Sequence, residues 1–242
     1  MMYNPIMVTS KKGRELHSKA EVAKESGQFQ QALEYCDQAT IAYSEDGDLL
    51  GLAEIQSSRF ATFKHLYQAT KKPEFLVLAK HAVLSSVEVA KMSGVSESLA
   101  IPYHNLGKYY SEAGEYKEAA KAFKMAVEYI KSSPPERHNR PAVIADFVGH
   151  QFAAEYLTGD KSAIGQAEEA LRDLEESVEL SRYNKDVWLS GAHLRLAKML
   201  KSDNPEKAKL HLMEAKKIID SNSDLVLRKQ QLLEIESEFD LV

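Results

Sequence analysis

The chain has 242 residues, 44% of them hydrophobic and 28% charged, which suffices for a continuous core under a well-solvated surface. A formal net charge of −5 lacks the basic excess that non-specific nucleic-acid binding requires. The single cysteine, Cys36, allows no intramolecular disulfide and fits a reducing compartment.

Residues 1–9 read as a flexible arm. Met1 to Ser10 carries no long apolar core behind a basic end, so it is not read as a secretory signal, and no run approaches the roughly 18 apolar residues of a membrane helix. The expected location is the cytoplasm.

From residue 10 onward, apolar and small residues recur three and four apart, the period of a helix, with no competing strand alternation. The first helix pair spans about 10–46. Leu16, Ala20 and Ala23 form one stripe, Gly27 the turn, and Phe29, Ala32, Cys36 and Ala39 the returning stripe. Cys36 therefore reads as a small buried residue rather than a reactive thiol. A looser pair covers 48–93, with Phe60, Phe63 and Tyr67 before Lys71-Lys72-Pro73 and Ala79, Val83 and Ser86 after it.

The sharpest pair covers 97–131. It reads Tyr103-x-x-Leu106-Gly107-x-x-Tyr110, then Gly114-x-Tyr116-x-x-Ala119-x-x-x-Phe123-x-x-Ala126. Gly107 leaves room for the second helix, and Gly114 falls where a positive φ favours glycine. The small–large–small order of the return stripe lets two helices interlock.

Residues 132–141 form a proline-rich connector, Ser132-Ser133-Pro134-Pro135-Glu136-Arg137-His138-Asn139-Arg140-Pro141, which reads as an extended linker. A second loose pair, 140–182, places Phe152, Ala153 and Tyr156 before Thr158-Gly159-Asp160 and Ala167, Leu171 and Leu174 after it. Both loose pairs are expected to have turns two or three residues longer than the tight ones. The last pair, 185–220, runs from Trp188, Leu196, Ala197 and Leu200 through Asn204-Pro205 to Ala208, Leu212 and Ala215. Residues 222–242 close the chain with a capping helix, because a terminal repeat otherwise exposes its core.

The Tyr103–Ala126 spacing resembles the tetratricopeptide repeat, a 34-residue helix–turn–helix unit, and residues 10–221 resemble an array of them more loosely. The resemblance implies an all-α, right-handed solenoid of about five helix pairs plus the terminal helix. It also implies that the first helix of each pair lines a concave groove that binds a protein or peptide segment.

On that pattern the groove residues are Arg14, His17, Glu21 and Lys24 in the first copy, and His65 with Gln68 in the second. The third copy offers Ile101, His104, Lys108 and Ser111; the fourth Phe147, His150, Ala154 and Leu157; the last Leu194, Lys198 and Lys201. Carboxylate-clamp members of the family use Lys and Asn, but His17 and His104 stand where asparagines belong, so that activity is not expected.

The histidine register of His17, His65, His104 and His150 does not imply a metal. Equivalent side chains of neighbouring repeats lie about 10 Å apart, too far to share one ion. Phosphate-loop, dinucleotide, zinc-protease and nucleophile-elbow motifs are all missing, so no catalytic residue and no cofactor are expected. Glu168-Glu169 and Glu175-Glu176 read as a solvated face.

The function expected is therefore a non-enzymatic adaptor. The alternatives are a peptide- or ligand-sensing regulator of the bacterial tetratricopeptide type and a self-association module. Homo-oligomerisation stays open, while nucleic acid and membrane are not expected partners.

Overall fold

The computed structural model describes residues 8–240, with side chains to Phe239. Most of the expected arm, residues 1–7, lies outside the described residues. All regular structure among the described residues is helical. The helices are α1 (Lys11–Glu25), α2 (Phe29–Asp46), α3 (Leu49–Thr70), α4 (Pro73–Met92), α5 (Ala100–Glu112) and α6 (Tyr116–Ser132). They continue with α7 (Pro141–Leu157), α8 (Ile164–Glu176), α9 (Arg182–Leu200), α10 (Pro205–Asp220) and α11 (Val226–Asp240). In chain order these make five helix pairs and a terminal helix, the all-α repeat fold expected from the periodicity.

The chain divides into two compact units within α5, between Tyr109 and Tyr110. In the first unit, α1 packs on α2, α2 on α3 and α3 on α4, while α1 also touches α3. Its core holds Ala20, Cys36, Ala39, Tyr43 and Ile55, with Leu16 and Leu52 against them. The expected stripes of the first pair are buried, and Cys36 is wholly enclosed. Burial pushes its thiol up to about 12, so the inert reading holds.

Asp48 ties the starts of two first helices together. Its side chain caps α3 by accepting from the Gly51 N–H at 2.7 Å. It also accepts from the Ser10 N–H at 3.0 Å, while the Ser10 hydroxyl caps α1 by accepting from the Gly13 N–H. Helix N-termini leave unpaired N–H groups, and a cap of this kind stabilises by about 1 kcal/mol.

Tyr43 of α2 fills the space opened by two glycines. A Cβ on Gly13 of α1 would lie 2.5 Å from its ring, and one on Gly51 of α3 would lie 2.2 Å from it. Both distances are far inside van der Waals contact, so the close approach of α1, α2 and α3 depends on missing side chains.

The turns behave as expected at Gly27 and Gly114, where φ is 74° and 75°. The expectation of longer turns in both loose pairs fails at the first. Only Lys71 and Lys72 separate α3 from α4. Lys71 takes a left-handed φ of 56°, which stops α3 abruptly, and Pro73 starts α4 at a position that suits its missing N–H. The second loose pair does carry a longer turn, Thr158–Ala163, which includes a 3₁₀ turn at Lys161–Ala163.

In the second unit, α7, α8 and α9 bury Ala142, Ala153, Tyr156, Ala167, Leu171, Leu174 and Leu196 in one core. Phe123 and Ala119 of α6 pack with Ala154 of α7 and Tyr110. The terminal helix α11 buries Leu232 and Ile235 against Leu194, Ala215 and Ile219 of α9 and α10. The Arg228 guanidinium lies over Gly191 of α9 and donates to the Val187 carbonyl at 3.1 Å.

The connector is not a plain extended linker at its far end. Arg140 donates to both Glu179 carboxylate oxygens at 2.8 Å and lies over the Trp188 ring, 5.3 Å from its centroid. Glu136–His138 forms a 3₁₀ turn within the connector.

Candidate functional site

The four first-copy candidates occupy one face of α1 and meet the facing side of α3. Arg14 pairs with Glu54 and lies 3.8 Å from Asp48, with its guanidinium over the Tyr43 ring. Burial disfavours its charge, but Glu54, Tyr43 and Asp48 outweigh that, and its pKa is raised.

His17 stands one turn further along. Its Nε2 lies 2.8 Å from the Ser58 hydroxyl and its Nδ1 3.3 Å from the Tyr43 hydroxyl. Burial lowers the pKa of this imidazole. Lys24 donates to Glu21 at 2.6 Å and lies 3.4 Å from Glu25, although it is only 8% exposed. Burial opposes the Lys24 charge and Glu21 restores it, leaving its pKa raised. Burial likewise opposes the Glu21 charge, and Lys24 more than compensates.

Arg14, His17, Glu21 and Lys24 with Glu54 and Ser58 therefore form one polar strip across α1 and α3. Three carboxylates, Glu21, Asp48 and Glu54, face two cations on this strip. Its α1 half consists of residues the sequence pattern set on one helix face. Glu54 and Ser58 were missed, although their four-residue spacing on α3 was the available signal.

The remaining candidates are placed differently. His65 is on α3 but stacks on Phe29 of α2, with centroids 6.2 Å apart, and its Nδ1 lies 3.3 Å from Gln68 Oε1. It does not extend the strip. His104 is 3% exposed, which removes it from an open face. Lys108 and Ser111 are half-buried on α5.

Phe147, Ala154 and Leu194, expected to face a groove, are core residues at 3%, 2% and 4% exposure. The reason is that α7 and α9 are flanked by helices on several sides. α7 meets α6, α8 and α9, and α9 meets α7, α8, α10 and α11. With neighbours on several sides, these two helices bury residues around most of their circumference, so no single polar face marks a groove.

His150 is held in an ionic network of the second unit. Arg195 of α9 donates to its Nε2 at 2.7 Å and to Asp146 at 2.9 Å. The His150 ring stacks on Phe123 at 5.1 Å. Asp146 and Arg195 were also missed by the sequence reading; Asp146 sits four residues before His150, a spacing that places both on one helix face. Lys198 is exposed on α9, 3.9 Å from Glu238 of α11. Glu169, Glu175 and Glu176 are exposed, consistent with a solvated face, while Glu168 pairs with Lys207.

Residues 103–131 match the tetratricopeptide repeat family. Among solved structures, the chain is similar to the nearly identical TPR-like repeats of a Podosopora anserina putative kinesin light chain. Identity is 17%, the TM-score is 0.54, and the match covers 93% of this chain and 95% of that one. A variant form of those repeats gives 17% identity and a TM-score of 0.57, covering 85% of this chain and 93% of that one. The curated proteins gave no match.

Residues 103–131 carry the tetratricopeptide repeat, and the likeness to the solved structures shows the same repeat fold for the chain. Such repeats generally mediate protein–protein interaction, and the helix pairs described above supply the repeat architecture. Among the described residues, no helix is long and apolar enough to cross a membrane.

Proposed function

We propose that this tetratricopeptide-repeat chain is a non-catalytic adaptor that binds a protein or peptide segment across the polar strip of α1 and α3. The observation that carries the proposal is the strip itself. Its side chains are held by one another and by Tyr43 and Ser58 before any partner arrives. Immobilising a free side chain on binding costs about 0.5–1.5 kcal/mol, and a preset strip avoids much of that cost.

The strip's charge defines the partner. Glu54 is its most exposed ion, at 53%, and Arg14 beside it is 33% exposed. A segment with N–H donors and a basic side chain near its centre complements that arrangement. The single buried thiol suits a reducing compartment such as the cytoplasm.

The test is affinity capture from a cytoplasmic extract with the wild-type chain and with Arg14→Ala/Glu54→Ala. Removing both members avoids leaving one charge unpaired. The expected result is a partner captured by the wild type and lost by a variant whose helical circular dichroism is unchanged. Equal capture by the folded variant would move the binding site off the strip. Ligand-dependent or concentration-dependent association of the chain with itself, with no captured partner, would favour the sensing or self-association alternatives.

A further inference from the structure

A second polar cluster lies apart from the strip, within the second unit. His193 of α9 and His211 of α10 face each other, with their Nδ1 atoms 3.1 Å apart and ring centroids 5.3 Å apart. His193 Nε2 points toward Glu175 of α8 at 3.8 Å. His211 Nε2 is buried and meets no hydrogen-bond partner among the described residues. His193 is 7% exposed, whereas His211 is only half-buried, which leaves one side of the pair open to small solutes.

The geometry points to a divalent transition-metal site in which His193 Nδ1 and His211 Nδ1 bind one zinc-like ion. Zinc–imidazole bonds are about 2.0–2.1 Å long, so nitrogens 3.1 Å apart subtend about 100° at a shared ion. That angle lies between the octahedral and tetrahedral values. Imidazole nitrogen selects zinc, copper and nickel over magnesium or calcium.

Carboxylates act on both rings, against the burial that disfavours charge on each. Glu175 and Glu214 act on His193, and Glu168 acts on His211. Lys207 acts against a positive charge on His211, and its ammonium pairs with Glu168. Glu214 follows His211 by three residues on α10, and its carboxylate lies 3.7 Å from the Lys217 ammonium. Glu175, on the far nitrogen of His193, stands where metal-bound histidines commonly place an orienting carboxylate.

The apo pair also explains how an ion enters. Two neutral rings at this distance share one proton, one Nδ1–H donating to the other Nδ1. With its N–H on Nε2, on the side of Glu175, His193 is the acceptor and His211 the donor. Metal binding then requires only that the His211 proton move from Nδ1 to Nε2, with no net proton released.

The experiment titrates zinc chloride into chelator-treated full-length chain. It follows the histidine ring nitrogens by NMR and the heat by calorimetry. One ion per chain is expected at this pair, with the Nδ1 resonances of His193 and His211 shifting together. His211→Gln should weaken that binding about tenfold or more. Shifts confined to other histidines, no binding, or equal affinity in folded His211→Gln would each overturn the site. If His211→Gln does not fold, the wild-type ring resonances decide the question alone.

Discussion

The two units solve one problem, joining first helices to second helices, with different chemistry. In the first unit, α1, α2 and α3 close on a single aromatic ring. Tyr43 takes the place of the Gly13 and Gly51 side chains, and its hydroxyl reaches His17. The Arg14–Glu54 pair of that unit sits on the rim, where Glu54 is about half exposed, while Lys24 is held inside by Glu21. In the second unit, alanines and leucines form the core and an ionic group is sunk beside it. Asp146 is 8% exposed and Arg195 19%, with His150 on the same guanidinium. The difference teaches where each unit is vulnerable: the first to added volume, the second to a missing charge.

The largest separation should come from deleting one arginine in each unit. Arg195→Met leaves the Asp146 carboxylate buried without its cation and should cost about 3 kcal/mol of stability. Arg14→Met should cost about 1 kcal/mol, because Glu54 regains water and Asp48 keeps its backbone donors. Urea denaturation of the two variants measures both. Equal losses would erase the distinction between rim and core charge.

Added volume should reverse the ranking. Gly51→Ala drives a methyl into the Tyr43 ring and should cost about 2–3 kcal/mol, with Gly13→Ala close behind. Tyr43→Leu placed in the Gly51→Ala chain should recover part of that loss, a coupling that a double-mutant cycle reads directly. Gly149→Ala in the second unit should be mild, since the nearest atom to the new Cβ is the end of the Arg195 side chain at 3.4 Å.

A smaller effect should appear in pH dependence. Burial lowers the folded-state pKa of His17 below its ordinary value of about 6.5, so the unfolded chain binds the proton more readily. Its contribution to stability is then complete above about pH 6.5 and is lost as pH falls below it. Arg14 and Lys24 add to the lowering, while Glu21 and Glu54 oppose it. His17→Gln should flatten the stability profile in the window just below pH 6.5. A profile that is unchanged, or that rises on acidification, would contradict the burial of that ring.

The smallest effect is an absence of reaction. Cys36 is fully enclosed and its thiol is pushed up to about 12. It should resist a maleimide in the folded chain and react on unfolding. Fast labelling under native conditions would show that the first unit opens readily.

The helix pairs were legible because their apolar stripes repeat at helical spacing and their tight turns carry glycine at a positive φ. The α1 half of the strip was legible for the same reason, since an amphipathic helix shows which side is polar. Phe147, Ala154 and Leu194 were misplaced because α7 and α9 are buried on several sides and give no such contrast. The clasp of Tyr43 by Gly13 and Gly51 could not be read, because it joins residues from three helices with no local signature. His193 and His211 escaped notice for a related reason: they face each other from opposite helices of a pair, with a turn between them.

The central claim is that the α1–α3 strip is the partner-binding face. Hydrogen–deuterium exchange of the full chain, with and without the segment recovered by capture, tests it most directly. The predicted result is slowed exchange in α1 and α3, around Arg14–Lys24 and Glu54–Ser58, with α2 and α4 unchanged. Slowing confined to α2 and α4, where Ile41 and Val77 are exposed, would place the partner on the opposite helices and contradict it.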